Sequence, residues 1–562
     1  MATLQCTVMR RSIACLLLLL LVCPAVLAQT VESLPQTAGG KLIQSLIEAG
    51  RMDELRWPDF SDYRKHLRNF YGPAGYTNFW LKDGKATPQA RAVIALFEAA
   101  DAKGINAVDY DAPRWRERIA ALEAAPNETA AARFDLALST TLMRYISDLH
   151  IGRINPRNLR FDLDIEGKKY YLPTRLADVA VSKDPASALA DIEPQYDEYR
   201  RLQQALADYR RYAADAASEK PLPVVKSVKP GAAYAGTAQL ARMLRRVGDL
   251  PADASFDEKR GVYDGAVVDA VKRFQARHGL EAGGTLGDKT FAALNVPLSY
   301  RVRQIQWALE RWRWAPMQFP APPIIVNVPE FVLRAWGPDN RTAVTMRVVV
   351  GQAYNHQTPI FEDEMKYVVF RPYWNVTPNI QRGEIVPHLE RGDRDYLARN
   401  NYEIVDANGA VVGASVDDAR LAHLRAGDYR VRQKPGPSNA LGLVKFMFPN
   451  ENNVYLHSTP AQTLFDRSRR DFSHGCIRVA DPAGLAAWVL RDQPEWTPER
   501  IKGAMNGTGE PTVVRIKQPI PIMIIYTTAN VQDDGAVHFF EDIYKHDASL
   551  EEALAAGYPY PA

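Results

Sequence analysis

The sequence predicts a multidomain α+β protein, in which a mostly helical N-terminal scaffold and a small three-helix module precede a β-rich C-terminal domain with an inserted subdomain. The chain has 562 residues, enough for roughly three or four domains at about 150 residues each. Proline-rich segments at 219–234 and 315–323 divide it into three blocks. Apolar residues recur at helical spacing in the first two blocks and in short strand-like runs in the third.

Composition and charge exclude several classes of protein. The hydrophobic fraction of 46% and the charged fraction of 24% are those of an ordinary globular protein, so neither a disordered chain nor a membrane-embedded body is expected. The formal charge of +3 falls to +1 if Arg10 and Arg11 are removed with the N-terminal segment. A nearly neutral chain gives no support for nucleic-acid binding, which needs a concentrated basic face.

The first element, residues 1–28, has the layout of a secretory signal peptide. Arg10 and Arg11 precede a short apolar run at 13–22, and small residues around Ala28 end the segment. The run is too short for a transmembrane helix, which needs about 20 apolar residues. We therefore expect export with cleavage after Ala28 and no membrane anchor. The alternative, lipid attachment at Cys23, is disfavoured because Val22 stands where a small residue is required.

The cysteines direct attention to one position. Cys6, Cys15 and Cys23 lie in the predicted signal peptide, so its removal leaves Cys476 as the only thiol. A single thiol cannot form an internal disulfide, and a free thiol is a liability in an oxidising compartment. This pattern favours a nucleophile over a packing residue.

Residues 29–234 predict a helical scaffold domain. The region is rich in alanine, leucine and arginine, and residues 185–215 repeat apolar positions at helical spacing. Residues 145–159 bring His150, Arg153 and Arg157 close together. The structural interpretation is preferred there, because no metal set or carboxylate pair accompanies the histidine.

The next two elements are a module at 235–298 and a connecting helix and linker at 299–322. In the module, a helical stretch is followed by a glycine turn at 283–284 and a second short helix at 288–294. The connecting helix predicts a buried stripe along one side. The positions of these two apolar patterns are Val267, Val271 and Phe274, and Val302, Ile305, Leu309 and Trp312.

Residues 323–562 predict a β-dominated domain. The runs 324–336 and 342–351 flank the turn-rich sequence 337–341 and are typical of a hairpin, and further β-rich runs continue to residue 531. Residues 381–434 are less strand-like and more charged. Because long excursions from a compact domain are often functional, we interpret this segment as an inserted lid or capping subdomain.

The candidate site lies in the sequence RRDFSHGCIRVADP at 469–482. A cysteine attacks as a thiolate and needs a neighbouring base or cation. His457, at the end of a predicted strand, is preferred as the base over His474, which either serves as the base or shapes the loop. Gly475 allows a sharp turn that points amides at an oxyanion. Arg478 either favours the thiolate, holds a substrate carboxylate or forms a local salt bridge.

A zinc site is the competing interpretation of these residues. His457, His474 and Cys476 are competent ligands, and His388 is a candidate fourth. The two-residue step from His474 to Cys476 is tighter than common zinc spacings, and no second cysteine or histidine pair exists in the sequence. We therefore predict no metal and no organic cofactor.

Two motifs resemble known families. The sequence His-Ser-Thr-Pro at 457–460 and the sequence Ser-His-Gly-Cys-Ile-Arg at 473–478, with fifteen residues between His457 and Ser473, resemble the signature of the L,D-transpeptidases with the YkuD-type fold. The resemblance extends upstream over 341–352 and 357–380. The sequence AVKRFQARHGL at 270–280 resembles the small peptidoglycan-binding module. The layout is similar to the long periplasmic L,D-transpeptidases of Gram-negative bacteria.

The resemblance implies a role for each residue. Cys476 is implied as the nucleophile and His457 as the general base, oriented by a backbone carbonyl. The amides around Gly475 and Cys476 are implied as the oxyanion hole, with His474 as part of the catalytic signature and Arg478 shaping the site or binding a carboxylate. Tyr455, Trp374 and Ser473 are expected to contact the substrate.

The resemblance also implies a reaction: a cysteine acyltransferase attacks the bond between diaminopimelate at position 3 and D-Ala at position 4 of a tetrapeptide stem, and forms 3-3 crosslinks in the periplasm. Carbapenems are expected as covalent inhibitors, and cell-wall synthases are possible partners. Alternative acceptors are a lipoprotein lysine, a free D-amino acid or water. Two other classes stay open: a cysteine peptidase that only hydrolyses, and a noncatalytic peptidoglycan-binding protein.

Overall fold

The computed structural model describes residues 34–354 and 356–557, and it begins with a helical region that carries one short hairpin. The strands of the hairpin are β1 (Leu81–Lys82) and β2 (Lys85–Ala86). The helices are α1 (Ala38–Ala49), α2 (Arg64–Tyr71), α3 (Pro88–Glu98), α4 (Trp115–Ala124), α5 (Glu128–Ile151), α6 (Leu172–Val181), α7 (Pro185–Ala188) and α8 (Asp197–Asp215). Side-chain caps start several of them; Asn127, for example, accepts a hydrogen bond from the amide of Ala130.

The predicted scaffold domain, 29–234, does not have a single core. Apolar residues between Ile43 and Ile192 form one core around the long helix α5. Residues of 154–165 and of α8 instead pack into the core of the C-terminal domain. Helical periodicity predicts a buried stripe but not its partner, and the stripe of α8 faces the connecting helix.

A separate small core holds the module of residues 235–298. Its helices are α9 (Thr237–Arg246), α10 (Gly265–Arg277) and α11 (Asp288–Leu294). Val267, Val271 and Phe274, predicted as one face of a helix, are all buried in this core. The sequence pattern therefore identified the inward face of α10 correctly.

The connecting helix α12 (Leu298–Trp312) is buried on more than the one predicted side. Ile305, Leu309 and Trp312 are buried as expected, but so are the charged residues Glu310 and Arg311. The prediction of a single apolar stripe was incomplete, because α12 lies between α8 on one side and the C-terminal domain on the other. Its charged residues are buried with partners, as buried charges require.

The C-terminal domain is built on a nine-stranded sheet. Its first strands are β3 (Ile324–Asn327), β4 (Val332–Trp336), β5 (Thr342–Gly351) and β6 (Phe361–Phe370). The run 324–336 is thus itself a hairpin, β3–β4, and β4 pairs in turn with β5. The break is a tight turn at 328–331, where Phe331 has a φ of 59°.

An inserted capping subdomain, residues 374–433, follows β6 and has its own core. Its elements are β7 (Trp374–Asn375), α13 (Pro378–Ile380), a π-helical turn (Gln381–Ile385), α14 (Val386–Glu390), α15 (Tyr396–Arg399), β8 (Tyr402–Val405), β9 (Val411–Gly413), α16 (Asp418–Ala426) and β10 (Arg430–Gln433). The predicted boundary at 381 is too late, because β7 pairs with β10 in a four-stranded sheet. The short strands of this sheet are too irregular in sequence to be recognised as strands.

The remaining elements complete the large sheet. They are β11 (Val444–Met447), β12 (Leu456–His457), β13 (Asp471–Ser473), β14 (Ile477–Val479), α17 (Pro482–Val489), α18 (Pro498–Asn506), β15 (Thr512–Ile525), β16 (Ala529–Val531), β17 (Val537–Phe539) and α19 (His546–Ala556). The order β5-β14-β12-β11-β6-β15-β3-β4 closes through the β4–β5 pairing, with β13 attached to β5. The predicted fold class is therefore confirmed: a helical N-terminal region, a small helical module and a β-rich domain with a barrel-like sheet.

The N-terminal predictions cannot be compared with this architecture. The predicted signal peptide, with Cys6, Cys15 and Cys23, lies outside the described residues. Within 34–354 and 356–557, no helix is both long and apolar enough to span a bilayer.

Candidate active site

Three neighbouring strands bring the predicted residues together on one face of the sheet. Lys445 of β11 is the cross-strand partner of His457 on β12, and His457 is the partner of Arg478 on β14. Because side chains alternate along a strand, Tyr455 and Cys476, each two residues earlier, belong to the same face. We call these five residues the site face.

The cysteine loop, residues 473–476, is fixed by its own hydrogen bonds. The Ser473 hydroxyl donates to the Cys476 carbonyl over 2.5 Å, and the Gly475 amide donates to Ser473 Oγ over 3.2 Å. Thr358 Oγ1 donates to the Gly475 carbonyl over 2.8 Å. Gly475 has a φ of 112°, a backbone conformation that residues other than glycine rarely adopt.

These bonds correct the expectation for Ser473. Its side chain is buried, and its hydroxyl both donates and accepts within the cysteine loop. A contact with substrate was predicted for Ser473. The structure gives it a role in shaping the loop instead, since no open face of the residue is left for a ligand.

His457 lies in an environment that favours its neutral form. Its Nδ1 is 2.5 Å from the carbonyl oxygen of Ser458, so a backbone carbonyl orients the ring. Burial lowers the pKa of His457 to about 3, and the neighbouring Arg478 acts in the same direction. Gly442 makes room for the next residue, Ser458: a Cβ at Gly442 would lie 2.5 Å from Ser458 Oγ. At neutral pH the imidazole can therefore accept a proton.

Cys476 is partly buried, and its thiol donates a weak hydrogen bond to the Asn453 carbonyl, 3.7 Å away. Burial raises the pKa of the Cys476 thiol. Hydrogen bonds from the backbone and hydroxyl of Tyr455 and the charges of Lys445 and Arg478 oppose that rise. The resting pair is a thiol and a neutral imidazole rather than a preformed ion pair.

The two cations of the site face lack the partners that charged groups usually have. Neither Lys445 nor Arg478 forms an ion pair with any described residue, and the buried Nε of Arg478 has no acceptor there. The predicted alternative of a local salt bridge for Arg478 is therefore wrong. Tyr455 lies between the groups, with Lys445 Nζ 3.8 Å from its ring centroid and His457 5.8 Å away, ring to ring.

The capping subdomain contacts the cysteine loop through one pair of side chains. Glu384, in the π-helical turn, places Oε1 2.6 Å from Nε2 of His474. His474 also lies against His356, with ring centroids 4.7 Å apart. His474 therefore faces the subdomain, and this position makes His457 the better candidate for the base.

Trp374 and His388 both belong to the capping subdomain. Trp374 packs on Tyr402, with ring centroids 6.1 Å apart, and His388 stacks on Tyr396 at 4.4 Å. No group of three or more histidine, cysteine, aspartate or glutamate residues within the described ranges is arranged to hold a metal ion. The zinc interpretation gains no support from this geometry.

Sequence reasoning missed two residues of this site. Lys445 is a lone lysine in the apolar run VKFMF, where the buried neighbours Val444 and Phe446 turn it to the other face of the strand. That alternation was a usable signal. No sequence signal pointed to Glu384, because its position depends on how the capping subdomain folds back.

Three family models match parts of this chain. Residues 322–516 match a family model described as "L,D-transpeptidase catalytic domain", of the YkuD type. Residues 235–294 match one described as "Putative peptidoglycan binding domain", and residues 65–206 match a "Scaffold domain".

One individual protein and one solved structure also match parts of this chain. A Haemophilus influenzae protein named "Putative L,D-transpeptidase" is 33% identical over 231 residues, which are 41% of this chain and 45% of that protein. The match thus spans less than half of the relative's length. A crystal structure of the L,D-transpeptidase (Yku) from Stackebrandtia nassauensis covers 54% of this chain and 97% of its own at 12% identity, and its TM-score of 0.21 carries no argument. Residues 322–516 are thus similar to the YkuD-type L,D-transpeptidase catalytic domain, in a chain that also matches a scaffold domain and a peptidoglycan-binding type of module.

Proposed function

We propose that this protein is an L,D-transpeptidase that remodels peptidoglycan, a cysteine acyltransferase without metal or cofactor. The observation that carries the proposal is the site face: Cys476, with a neutral His457 and unpaired cations beside it, on a domain that matches this family. A peptidoglycan-binding type of module in the same chain supports the choice of substrate.

In the proposed reaction, Cys476 attacks the carbonyl that links diaminopimelate at position 3 to D-Ala at position 4. The thiol proton passes to His457, and a tetrahedral oxyanion forms. The C–N bond then breaks, His457 returns the proton to the leaving amine, and D-Ala departs from a thioester. The side-chain amine of a second stem attacks the thioester and gives a 3-3 crosslink.

The oxyanion contact can be assigned more narrowly than to the whole turn. The Gly475 amide already donates to Ser473 Oγ, whereas the Cys476 amide has no acceptor among the described residues. We therefore assign the oxyanion contact to the Cys476 amide. Tyr455 and Arg478 flank the thiol, and Trp374 is proposed to contact the donor stem from the capping subdomain.

The wider role follows from the same assignment. We place the protein in the periplasm, exported by residues 1–28, with carbapenems acylating Cys476 and peptidoglycan synthases as candidate partners. The acceptor is a diaminopimelate amine in this proposal. A lipoprotein lysine, a free D-amino acid and water use the same acyl-enzyme and differ only in the second half-reaction.

The test is mass spectrometry of a disaccharide-tetrapeptide incubated with the purified protein and with Cys476→Ala. We expect a crosslinked dimer that has lost one D-Ala, present with the native protein and absent with the variant. Tripeptide alone would identify a carboxypeptidase or an absent acceptor. Release of D-Ala by folded Cys476→Ala would remove Cys476 from the mechanism, and unchanged substrate with both proteins would favour a binding role.

A further inference from the structure

Lys445 is a partly buried cation whose partner is not an acidic side chain. Its neighbours on β11, Val444 and Phe446, are buried in the core, so Lys445 points to the opposite side of the sheet, the side that carries the site face. No aspartate or glutamate of the described ranges forms an ion pair with it. Taking an unpaired ammonium out of water is costly, and a structure retains one where an anion compensates for it.

The groups around Lys445 leave one candidate for that anion. Its cross-strand partners are Val369 on β6, which is apolar, and His457 on β12, which is neutral. Arg478 on β14, the next strand, is a second cation, and the Tyr455 ring lies directly under the ammonium. Cys476, at the entry to β14, is the remaining titratable group that interacts with Lys445.

Tyr455 connects Lys445 to the thiol. The ammonium lies 3.8 Å from the ring centroid, well within the range of a cation–π contact. The hydroxyl of the same ring interacts with Cys476, and burial raises the pKa of Tyr455, so this hydroxyl stays protonated and able to donate to a thiolate. A cation over the ring draws electron density from the hydroxyl and makes it a stronger donor to sulfur.

We propose that Lys445 is a positioning residue that stabilises the thiolate form of Cys476, acting through the ring and hydroxyl of Tyr455. The thiolate occurs twice in the proposed reaction, as the attacking nucleophile and as the leaving group. When the acceptor amine attacks the thioester, the C–S bond breaks and its electron pair goes to sulfur. Lys445 and Arg478 hold that negative charge until the proton from the amine returns through His457.

The inference rests on the proposed function only for the nucleophilic role of Cys476, so its test uses no peptidoglycan. The rate of alkylation of Cys476 by iodoacetamide is measured against pH on the peptide that contains Cys476, because only the thiolate reacts. The variants are Lys445→Met, Lys445→Gln and Lys445→Arg. Lys366→Met is the matched control, since Lys366 is an exposed lysine on the adjacent strand β6.

We expect Lys445→Met and Lys445→Gln to move the alkylation midpoint upwards by about one pH unit or more, the shift typical of removing a nearby opposite charge. This corresponds to a loss of about tenfold in alkylation rate at neutral pH. Lys445→Arg restores most of the native profile, and Lys366→Met leaves it unchanged. A purely structural role for Lys445 would not produce rescue by charge.

Unchanged midpoints in both neutral variants, with native far-ultraviolet circular dichroism, would overturn the inference. Native-like midpoints together with D-Ala release by the native protein would refute this role of Lys445 alone. Shifted midpoints without D-Ala release or crosslinking would refute the proposed function and leave the electrostatic role of Lys445 intact. If Lys445→Met unfolds, the polar and neutral Lys445→Gln decides the question.

Discussion

His457 and Cys476 are neutral in the resting site for the same physical reason, since burial disfavours the charged form of each. In the proposed reaction, the nucleophile is therefore generated by proton transfer rather than held as a stable thiolate–imidazolium pair. The pKa of His457 is lower in the folded protein, at about 3, than in the unfolded chain, at about 6.5. The contribution of neutral His457 to the stability of the fold is therefore complete above about pH 6.5, and it is lost as the pH falls towards about 3.

This predicts the pH dependence of acylation. Because His457 stays neutral down to low pH, the second-order rate of Cys476 acylation by a carbapenem should change less than about twofold between pH 5 and pH 7. Stopped-flow absorbance of the β-lactam measures this rate. An acidic limb near pH 6.5 would contradict the prediction.

At the scale of elements, the capping subdomain and the barrel-like sheet have separate cores. In the connection between them, the side-chain amide of Asn439 donates to the carbonyls of Pro372 and Lys434. Beyond it, the Glu384–His474 pair contacts the cysteine loop. Both partners of this pair are partly exposed, so the pair contributes little, about 0–1 kcal/mol.

Glu384→Gln should therefore loosen the subdomain without inactivating the site. We expect the rate of Cys476 alkylation to rise by about two- to fivefold, the equivalent of less than about 1 kcal/mol. The matched control is Glu390→Gln, which breaks a pair with Arg425 inside the subdomain. Equal effects of the two variants would show that the contact with His474 does not govern access.

The capping subdomain contains strands that the sequence did not reveal. Residues 381–434 predicted an insertion, because their charge and length interrupt a β-rich region. The four-stranded sheet within it was missed, since β7 has two residues and β9 has three. By contrast, the alternation of buried and less buried residues in β11 and β6 allowed these strands to be recognised from the sequence.

At the scale of the whole molecule, buried charged residues of α12 join the regions around this helix. Arg311 of α12 donates to Asp547 of α19 over 2.5 Å, and Asp547 also accepts from Thr528. Glu310 accepts from the backbone amides of Arg153 and Ile154, which belong to the N-terminal region. One helix thus holds the scaffold and the C-terminal domain together through fully desolvated charges.

Removing one partner should leave the other charge buried and uncompensated. We expect Arg311→Ala to lower the free energy of unfolding by about 3–5 kcal/mol. Urea denaturation followed by tryptophan fluorescence measures the change. Arg394→Ala, which breaks an exposed pair with Asp418, is the control and should cost about 0–1 kcal/mol. Similar costs for both variants would mean that the α12–α19 pair is not stabilising.

The sequence alone determined the fold class, the order of the regions and the candidate nucleophile, because these depend on local patterns. A lone downstream cysteine, a glycine that permits a sharp turn and the period of apolar residues are visible without a partner. Tertiary structure decided what depends on register and packing. The β11–β12–β14 pairing set Lys445 beside His457, and the fold of the capping subdomain brought Glu384 to His474. Tertiary packing also placed the apolar face of α8 against α12. Such contacts join residues far apart in sequence, and no local pattern specifies which buried surfaces meet.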